Sequence, residues 1–464
     1  MGHTLACDSP MRANNALMRV IVIGIGEVGQ HVARTLSAER HDVTVIDADA
    51  DRVEAMQGEL DAMVIAGNGA SPRFLRELGA GDADLLCAVT QSDEVNLIAA
   101  LSGHQLGAGR TVARVRDPEY FGEDPAFARD LLGIDFVVNP ELATAEDLAE
   151  AVLLPGAVHV EYFADGKVAV AETILSNRSP LVGQPLSIRQ PVRPSFVFGL
   201  IRDGRSIAAE SGHRPKAGDH ALVAASRDDI APVVAHTAGH VSRVREATIF
   251  GGGLVGLPLA RRLERASGFR VTVMERDAER ARHAAERLTD ATVLHEESLS
   301  RDALLAHGVD QTGAFVACTG DDRSNLLAAL HAKEVGADLC LAVVSREEYT
   351  PLVDALGIDG AFSPRLVTAE AILRAVRGPN VHAMYLLTGG AEVVEVQADV
   401  GCRADGSTVG SANAQAHTHV TAIVRDGQVL MPTGEQRVKS GDRLVVFNVR
   451  QGVADLHKAF GAAA

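Results

Sequence analysis

The sequence predicts an α/β protein built as two doubly wound parallel-sheet lobes, each followed by a smaller α+β domain, and three observations carry that prediction. Short Val/Ile/Leu runs alternate with helical patterns through the first part of each half. Two glycine-rich turns of matching spacing, Gly24-Ile25-Gly26-Glu27-Val28-Gly29 and Gly251-Gly252-Gly253-Leu254-Val255-Gly256, each join an apolar run to a helical stretch. The arrangement occurs twice: the turns, the acids Asp47 and Glu275, and the runs Ala88-Val89-Thr90 and Ala317-Cys318-Thr319 recur about 228 residues apart, an interval that signals tandem domains and not a solenoid.

In the first lobe the expected strands are Val20–Ile25, Val43–Ile46, Ala62–Ile65, Leu85–Val89, Val112–Val115 and Phe136–Val138. Each is a short apolar run, the pattern of strands buried on both faces of a parallel sheet. Between them Asp49 to Glu59 reads as a helix with Val53 and Met56 inward. Asp93 to Gln105 reads likewise, with Val95, Leu97, Ile98 and Leu101. Gly and Pro punctuation then begins, with the hairpin signals Ala164-Asp165-Gly166-Lys167 and Arg202-Asp203-Gly204-Arg205, which mark a small domain of about 80 residues. The second half repeats these signals: Thr90 to Asn96 matches Thr319 to Asn325, Tyr120 matches Tyr349, Arg202-Asp203-Gly204 matches Arg425-Asp426-Gly427, and Ala217-Gly218-Asp219 matches Ser440-Gly441-Asp442. The expected boundaries are a disordered tail 1–17, a lobe 18–154, a small domain 155–236, a linker 237–245, a second lobe 246–379 and a second small domain 380–464. The joints fall at Pro155-Gly156 and Gly378-Pro379.

Composition removes several classes of function. A formal net charge of −17 over 464 residues argues against general attraction to nucleic acid or anionic lipid. Apolar residues make up 47% of the chain, yet no run nears the ~18 needed to span a bilayer, so a soluble chain without direct membrane insertion is expected. Met1 to Leu17 is polar and lacks the apolar stretch of a signal peptide. The five cysteines, Cys7, Cys87, Cys318, Cys340 and Cys402, have no CxxC spacing and read as buried thiols in a reducing cytoplasm.

The strand, glycine turn, helix, strand and acid unit is the dinucleotide fingerprint. Gly24 and Gly251 make the tight turn, Gly26 and Gly253 let backbone approach a pyrophosphate, and Gly29 and Gly256 let helix pack on strand. The helix N-terminus at Glu27 and Val28 offers free N–H groups and a positive dipole end to phosphates. Asp47 and Glu275 are placed to accept hydrogen bonds from ribose hydroxyls. Thr90 and Thr319 end the fourth strands, where they either contact a nucleotide or cap the next helix. Arg114 ends the fifth strand, suited to phosphate or to a surface salt bridge, and Val343 takes its place in the second lobe. Asp49 and Asp277 suit either ribose or the first turn of a helix. Arg276, beside Glu275, reads as an exposed strand-end charge more than a 2′-phosphate contact. The loop Gly67-Asn68-Gly69-Ala70-Ser71 becomes His295-Glu296-Glu297 in the second lobe. His417-Thr418-His419 has two imidazoles on one strand face but no acidic or cysteine neighbours, so no metal site is expected.

These residues together resemble the peripheral subunits of Trk-type potassium-uptake systems, the TrkA family, built from tandem RCK (KTN) domains. The similarity runs from about Met18 to the C-terminus. It is carried by the first glycine turn with Val45-Ile46-Asp47, by Gly67-Asn68-Gly69-Ala70-Ser71-Pro72, by Ala88-Val89-Thr90 with Asp93, Glu94 and Asn96, and by Ala113 to Tyr120. The second turn with Met274-Glu275-Arg276, Pro180-Leu181-Val182-Gly183 and Ala217-Gly218-Asp219 add to it. The resemblance implies two Rossmann-like lobes, each with a small RCK C-terminal domain. It also implies a regulatory function: a homo-oligomeric ring, expected to be a tetramer, docked on the cytoplasmic face of a potassium-translocating membrane subunit of Trk or Ktr type and gating it when NAD(H) or ATP/ADP binds. On that resemblance Gly24, Gly26 and Gly29 hold phosphates, Asp47 the ribose, Asn68 and Thr90 the nucleotide's sides and Arg114 its phosphates. Gly251, Gly253, Gly256, Glu275 and Thr319 carry over in the second lobe, whose departures at Val343 and His295-Glu296-Glu297 predict weaker binding there.

The alternative is an NAD(P)-dependent dehydrogenase, because the same fingerprint serves hydride transfer. Such an enzyme needs an acid or base placed against a substrate. The small domains offer only His159 and His382, each at an apolar strand start, and the regulatory, non-enzymatic expectation is therefore preferred.

Overall fold

The computed structural model describes residues 17–117, 120, 131–154, 156–186, 195–209, 212–239, 244–296, 300–346, 349–376, 381–387, 391–416, 418–448, 456 and 459–460. The expected tail, apart from Leu17, lies outside them, as do Pro155, Gly378, Pro379, Glu297 and His417.

All six strands expected in the first lobe form: β1 (Arg19–Ile23), β2 (Asp42–Asp47), β3 (Met63–Ala66), β4 (Leu85–Ala88), β5 (Thr111–Arg114) and β6 (Phe136–Val138). They build one sheet in the order β3-β2-β1-β4-β5-β6, every pair parallel. The order reverses between β1 and β4, so the crevice beyond their carboxyl ends is the switch point where open α/β sheets take ligands. β1 stops two residues earlier than expected because Gly24 turns the chain at φ 110°, a conformation that needs glycine. The helix expected from Asp49 to Glu59 is shorter, Ala50–Met56, with the Asp49 carboxylate accepting the Asp51 and Arg52 N–H groups as its N-cap.

The first small domain is an antiparallel sheet of β7 (Ala157–Phe163), β8 (Val168–Ile174), β9 (Ser195–Arg202), β10 (Arg205–Ala208) and β11 (His220–Ser226), ordered β10-β9-β11-β8-β7. Its closing helix, Ile230–Ala238, runs two residues past the expected boundary at 236. The second half repeats the plan. β12 (Glu246–Phe250), β13 (Arg270–Glu275), β14 (Thr292–His295), β15 (Ala314–Ala317), β16 (Leu339–Val343) and β17 (Gly360–Phe362) form a parallel sheet ordered β14-β13-β12-β15-β16-β17. β18 (Val381–Leu386), β19 (Glu392–Gln397), β20 (His419–Arg425), β21 (Gln428–Leu430) and β22 (Arg443–Asn448) form the second antiparallel sheet.

The repeated small-domain signals have a physical cause. Asp203 and Gly204 at φ 51° and 68°, and Asp426 and Gly427 at φ 50° and 79°, make two-residue hairpin turns that require positive φ at both positions. The flanking Arg202 grips Asp219 through two bonds of 2.7 and 2.5 Å, and Arg425 grips Asp442 through two of 2.7 Å. Burial alone would raise Asp219, but Arg202 and the Lys216 N–H outweigh it and hold the carboxyl below its ordinary value.

The two halves are not independent. Helix Pro140–Leu153 leaves the first lobe and buries Ala145, Leu148, Ala149 and Val152 in the second lobe's core with Ile249, Val255, Leu259 and Val273. Its Glu146 and Glu150 meet Arg262 at 3.2 and 3.1 Å. Reciprocally, helix Pro364–Val376 leaves the second lobe and buries Ala369 and Ile372 with Val28, Val32 and Leu36 of the first. The lobes expected as contiguous blocks, 18–154 and 246–379, thus exchange their last helices. The small domains also share a core, in which Phe163, Val170 and Phe198 pack with Tyr385, Val393 and Phe447. The Ala164 N–H donates to Glu395 Oε2 at 2.7 Å, and the Tyr385 hydroxyl donates to Glu172 Oε2 at 3.1 Å.

Leu148→Ala removes a fully buried side chain from the other lobe's core, at an expected cost of about 2–5 kcal/mol. Hydrogen exchange should show the loss in helix Gly256–Glu264, which belongs to the second lobe. Burial raises the Asp147 carboxyl to about 6, with Glu161, Glu146 and Glu150 adding to the effect against His159. A folded-state value above the unfolded one penalises the charged form, so the cost is absent below about pH 4 and complete above about pH 6. Asp147→Asn should therefore raise the melting temperature at pH 7.5 and leave it unchanged near pH 4.

Candidate functional site

The three glycines of the first turn stand in different surroundings. At Gly24 a Cβ would stand 3.0 Å from the Thr90 nitrogen, and at Gly29 it would stand 1.8 Å from the Gly24 carbonyl oxygen, inside any permitted contact. At Gly26 it would meet nothing within 4 Å. The second turn repeats this: 3.0 Å from the Thr319 nitrogen at Gly251, 1.8 Å from the Gly251 oxygen at Gly256, open space at Gly253. The first and third glycines close the fold, and the middle one leaves room in front of a helix N-terminus. Helix Glu27–Ala38, which we label α1, starts there with Gly26 as its N-cap and no capping side chain, so the N–H groups of Glu27 and Val28 are unclaimed by the helix.

Asp47 ends β2 beside this turn. Its Oδ2 accepts the Ile25 N–H at 2.6 Å and its Oδ1 the Asp49 N–H at 2.9 Å, so the carboxylate braces the glycine turn. Glu275 does the same for Gly252 and Asp277, both at 2.8 Å, and in addition takes Arg280 Nη2 at 2.9 Å. Burial would raise Glu275, but Arg280 and the two N–H groups hold it below its ordinary value. Asp277 caps its helix through the Arg280 N–H, which gives it the first-turn role.

Thr90 and Thr319 do not cap the following helices; Ser92 and Asp321 do. Each threonine hydroxyl instead donates to a buried asparagine, Asn96 or Asn325, at 2.7 Å. Asn96 Nδ2 donates to the carbonyls of Thr90 and Arg114, and Asn325 Nδ2 to those of Thr319 and Val343. These asparagines tie the ends of the fourth and fifth strands together, and the sequence marked them by their repetition and, for Asn96, by its place in the motif that carries the family resemblance.

Arg114 is paired with Glu141, the second residue of the exchanged helix Pro140–Leu153, at 3.2 Å, with both side chains largely buried. It is no surface salt bridge: Arg114 Nε and Glu141 Oε2 are enclosed without a hydrogen-bond partner. Asn68 accepts the Ala70 N–H at 3.0 Å within an exposed turn, and its neighbours Gly67 and Gly69 are needed because a Cβ would strike Phe74 and Ile23. At the matching place in the second lobe Glu296 meets His307 at 2.9 Å and His295 Nε2 lies 3.0 Å from the Arg276 carbonyl. Among the described residues no group of three His, Cys, Asp or Glu side chains is placed to hold a metal.

Residues 20–140 and 247–364 match the model of the TrkA-N domain, and residues 393–461 match that of the TrkA-C domain. This chain belongs to the TrkA family. It is 33% identical over 451 residues to the Trk system potassium uptake protein TrkA of Azorhizobium caulinodans, a match that covers 96% of this chain and 98% of the relative. To the protein of the same name from Halomonas elongata it is 32% identical over 452 residues, with 96% and 98% covered. A structure described as the GsuK channel bound to NAD shares the fold with a TM-score of 0.62 and 17% identity, over 94% of this TrkA-family chain and 78% of the channel chain.

The glycines make a sharp prediction about stability. Gly29→Ala should destabilise the chain by at least about 2 kcal/mol because the turn backbone must move. Gly26, at φ −71°, has the conformation and the space for a methyl group, so Gly26→Ala should melt within about 0.5 kcal/mol of the parent.

Proposed function

We propose that this TrkA-family protein is the nucleotide-binding regulatory subunit of a Trk-type potassium-uptake system. In this reading it docks as a homo-oligomeric ring on the cytoplasmic face of a potassium-translocating membrane subunit and changes that subunit's activity when nucleotide binds. The carrying observation is the open middle glycine of the first turn, set before an uncapped helix N-terminus at the switch point, with Asp47 beside it. The ligand is NAD(H) or ATP/ADP. Gly24, Gly26, Gly29 and the N–H groups of Glu27 and Val28 take its phosphates, Asp47 its ribose, and Asn68, Thr90 and Arg114 lie around it. Gly251, Gly253, Gly256, Glu275 and Thr319 form the second site, which binds more weakly because Arg114 is replaced by Val343 and the Asn68 loop carries Glu296.

Family membership supports transport regulation over hydride transfer, and the chemistry agrees. His159 is stacked on Tyr385 at 4.2 Å in the joint between the small domains, its ring 6.2 Å from that of Phe362. No helix among the described residues is long and apolar enough to cross a membrane, and this reading assigns the transport path to the partner subunit. A ligand acts on that partner only through unequal affinity for two shapes of the ring.

Potassium flux into vesicles carrying the cognate membrane subunit, with purified protein and each of NAD, NADH, ATP and ADP, tests this. Flux should change with at least one nucleotide, and Gly26→Ala should abolish that response while leaving the fold intact. Flux indifferent to all four nucleotides, together with oxidation of NADH on a small substrate, would replace the regulatory reading by the dehydrogenase.

A further inference from the structure

We infer that Arg365, carried by the second lobe, is a phosphate ligand of the first lobe's nucleotide site, paired with Glu27 until the nucleotide arrives. The inference rests on the reading that the first lobe binds nucleotide. Arg365 is the second residue of the exchanged helix Pro364–Val376, which lies on α1 through Ala369 and Ile372. That packing brings its Nη1 to 3.6 Å from Oε2 of Glu27, the first residue of α1 and the one flanking the open Gly26. The guanidinium-bearing side chain is 10% exposed and the glutamate 49%, so Arg365 is the anchored member of the pair and Glu27 the one free to move.

A carboxylate at this point is at odds with the site's task. A diphosphate settling on the N–H groups of Glu27 and Val28 brings two or more negative charges beside Glu27, and like charges that close repel. Arg365 resolves the conflict. Its guanidinium presents a planar fork that matches phosphate oxygens, and its burial means little freedom is lost when it takes a new partner. Phosphate replaces the Glu27 carboxylate as the counter-charge, and Glu27 swings to solvent. The cation that registers the phosphates then belongs to the other lobe.

The repeat shows that this is particular to one side. The residue matching Glu27 is Leu254, and the residue matching Arg365 is Glu141, which is committed to Arg114 in its own lobe. The second site has neither the acid nor the borrowed cation. Phosphate number should accordingly matter in the first lobe.

Calorimetric titration of the full chain with adenosine, AMP, ADP and ATP reads this directly. In the parent, affinity should climb from AMP to ATP. Arg365→Gln should lower ATP affinity by about tenfold or more, leave adenosine unchanged and flatten the series, while Arg365→Lys retains most of the climb. Glu27→Gln should raise ADP and ATP affinity severalfold, and this gain should vanish in the Arg365→Gln background. An Arg365→Gln chain with unaltered ATP affinity, or one that loses adenosine and ATP alike, overturns the inference. A parent chain that binds none of the four overturns the first-lobe nucleotide reading itself, a separate result.

Discussion

The exchange of one helix between the two lobes is the constraint on which the rest of the molecule depends. Leaving its own sheet, helix Pro140–Leu153 places Leu148 and Val152 at full burial among Val255, Leu259 and Leu263, and helix Pro364–Val376 returns the favour with Ile372 against Val32 and Leu36. Each such side chain is worth roughly 1.5–3 kcal/mol when removed from water. Separating the lobes would therefore expose both cores at once. The helices also start at the carboxyl edges of the parallel sheets, β6 and β17, where ligands of such sheets bind. A helix that begins near one crevice and ends inside the other lobe links site and scaffold without any additional device.

Most of the sheet architecture could be read from the sequence because a doubly buried parallel strand has nothing to be but apolar, and each of the six runs in the first lobe was short and bounded. The glycine turns were equally legible, since a 1.8 Å approach at Gly29 and Gly256 tolerates no other residue. The helix exchange was hidden for a physical reason: the apolar face of Pro140–Leu153 looks the same whichever lobe it covers. Likewise, the spacing of Thr90 suits a cap or a ligand contact, and only the position of Asn96 shows that its hydroxyl is spent on the crevice floor. Arg280 carries no sequence signal, because the turn that brings it onto Glu275 is set by the Asp277 cap and not by any motif.

The frame is nearly symmetric and the chemistry placed on it is not. Arg114 faces Val343 across the repeat, Glu141 faces Arg365, Glu27 faces Leu254, and Asp47 faces a Glu275 already held by an arginine. Three of these four equivalent positions carry opposite or missing charges, and at the fourth both residues are carboxylates with different partners. On the proposed reading, a nucleotide favours one arrangement of the lobes only to the extent that it binds that arrangement more tightly than the other.

In the proposed function, nucleotide bound in the first lobe biases the protein between two shapes, and the separation of the two lobes is a direct measure of that bias. Cys87, Cys318, Cys340 and Cys402 are all buried. Burial pushes the thiols of Cys318 and Cys340 up to about 12, so neither competes for a thiol-directed label at neutral pH. With Cys7 replaced by serine, spin labels at Met63→Cys and Thr292→Cys, exposed positions on the outer strands β3 and β14, report the separation of the lobes. The distance distribution should shift when NADH, NAD, ATP or ADP saturates the parent chain and stay fixed in Gly26→Ala. A distribution that is the same with and without every nucleotide, in a chain shown by calorimetry to have bound it, would contradict the account.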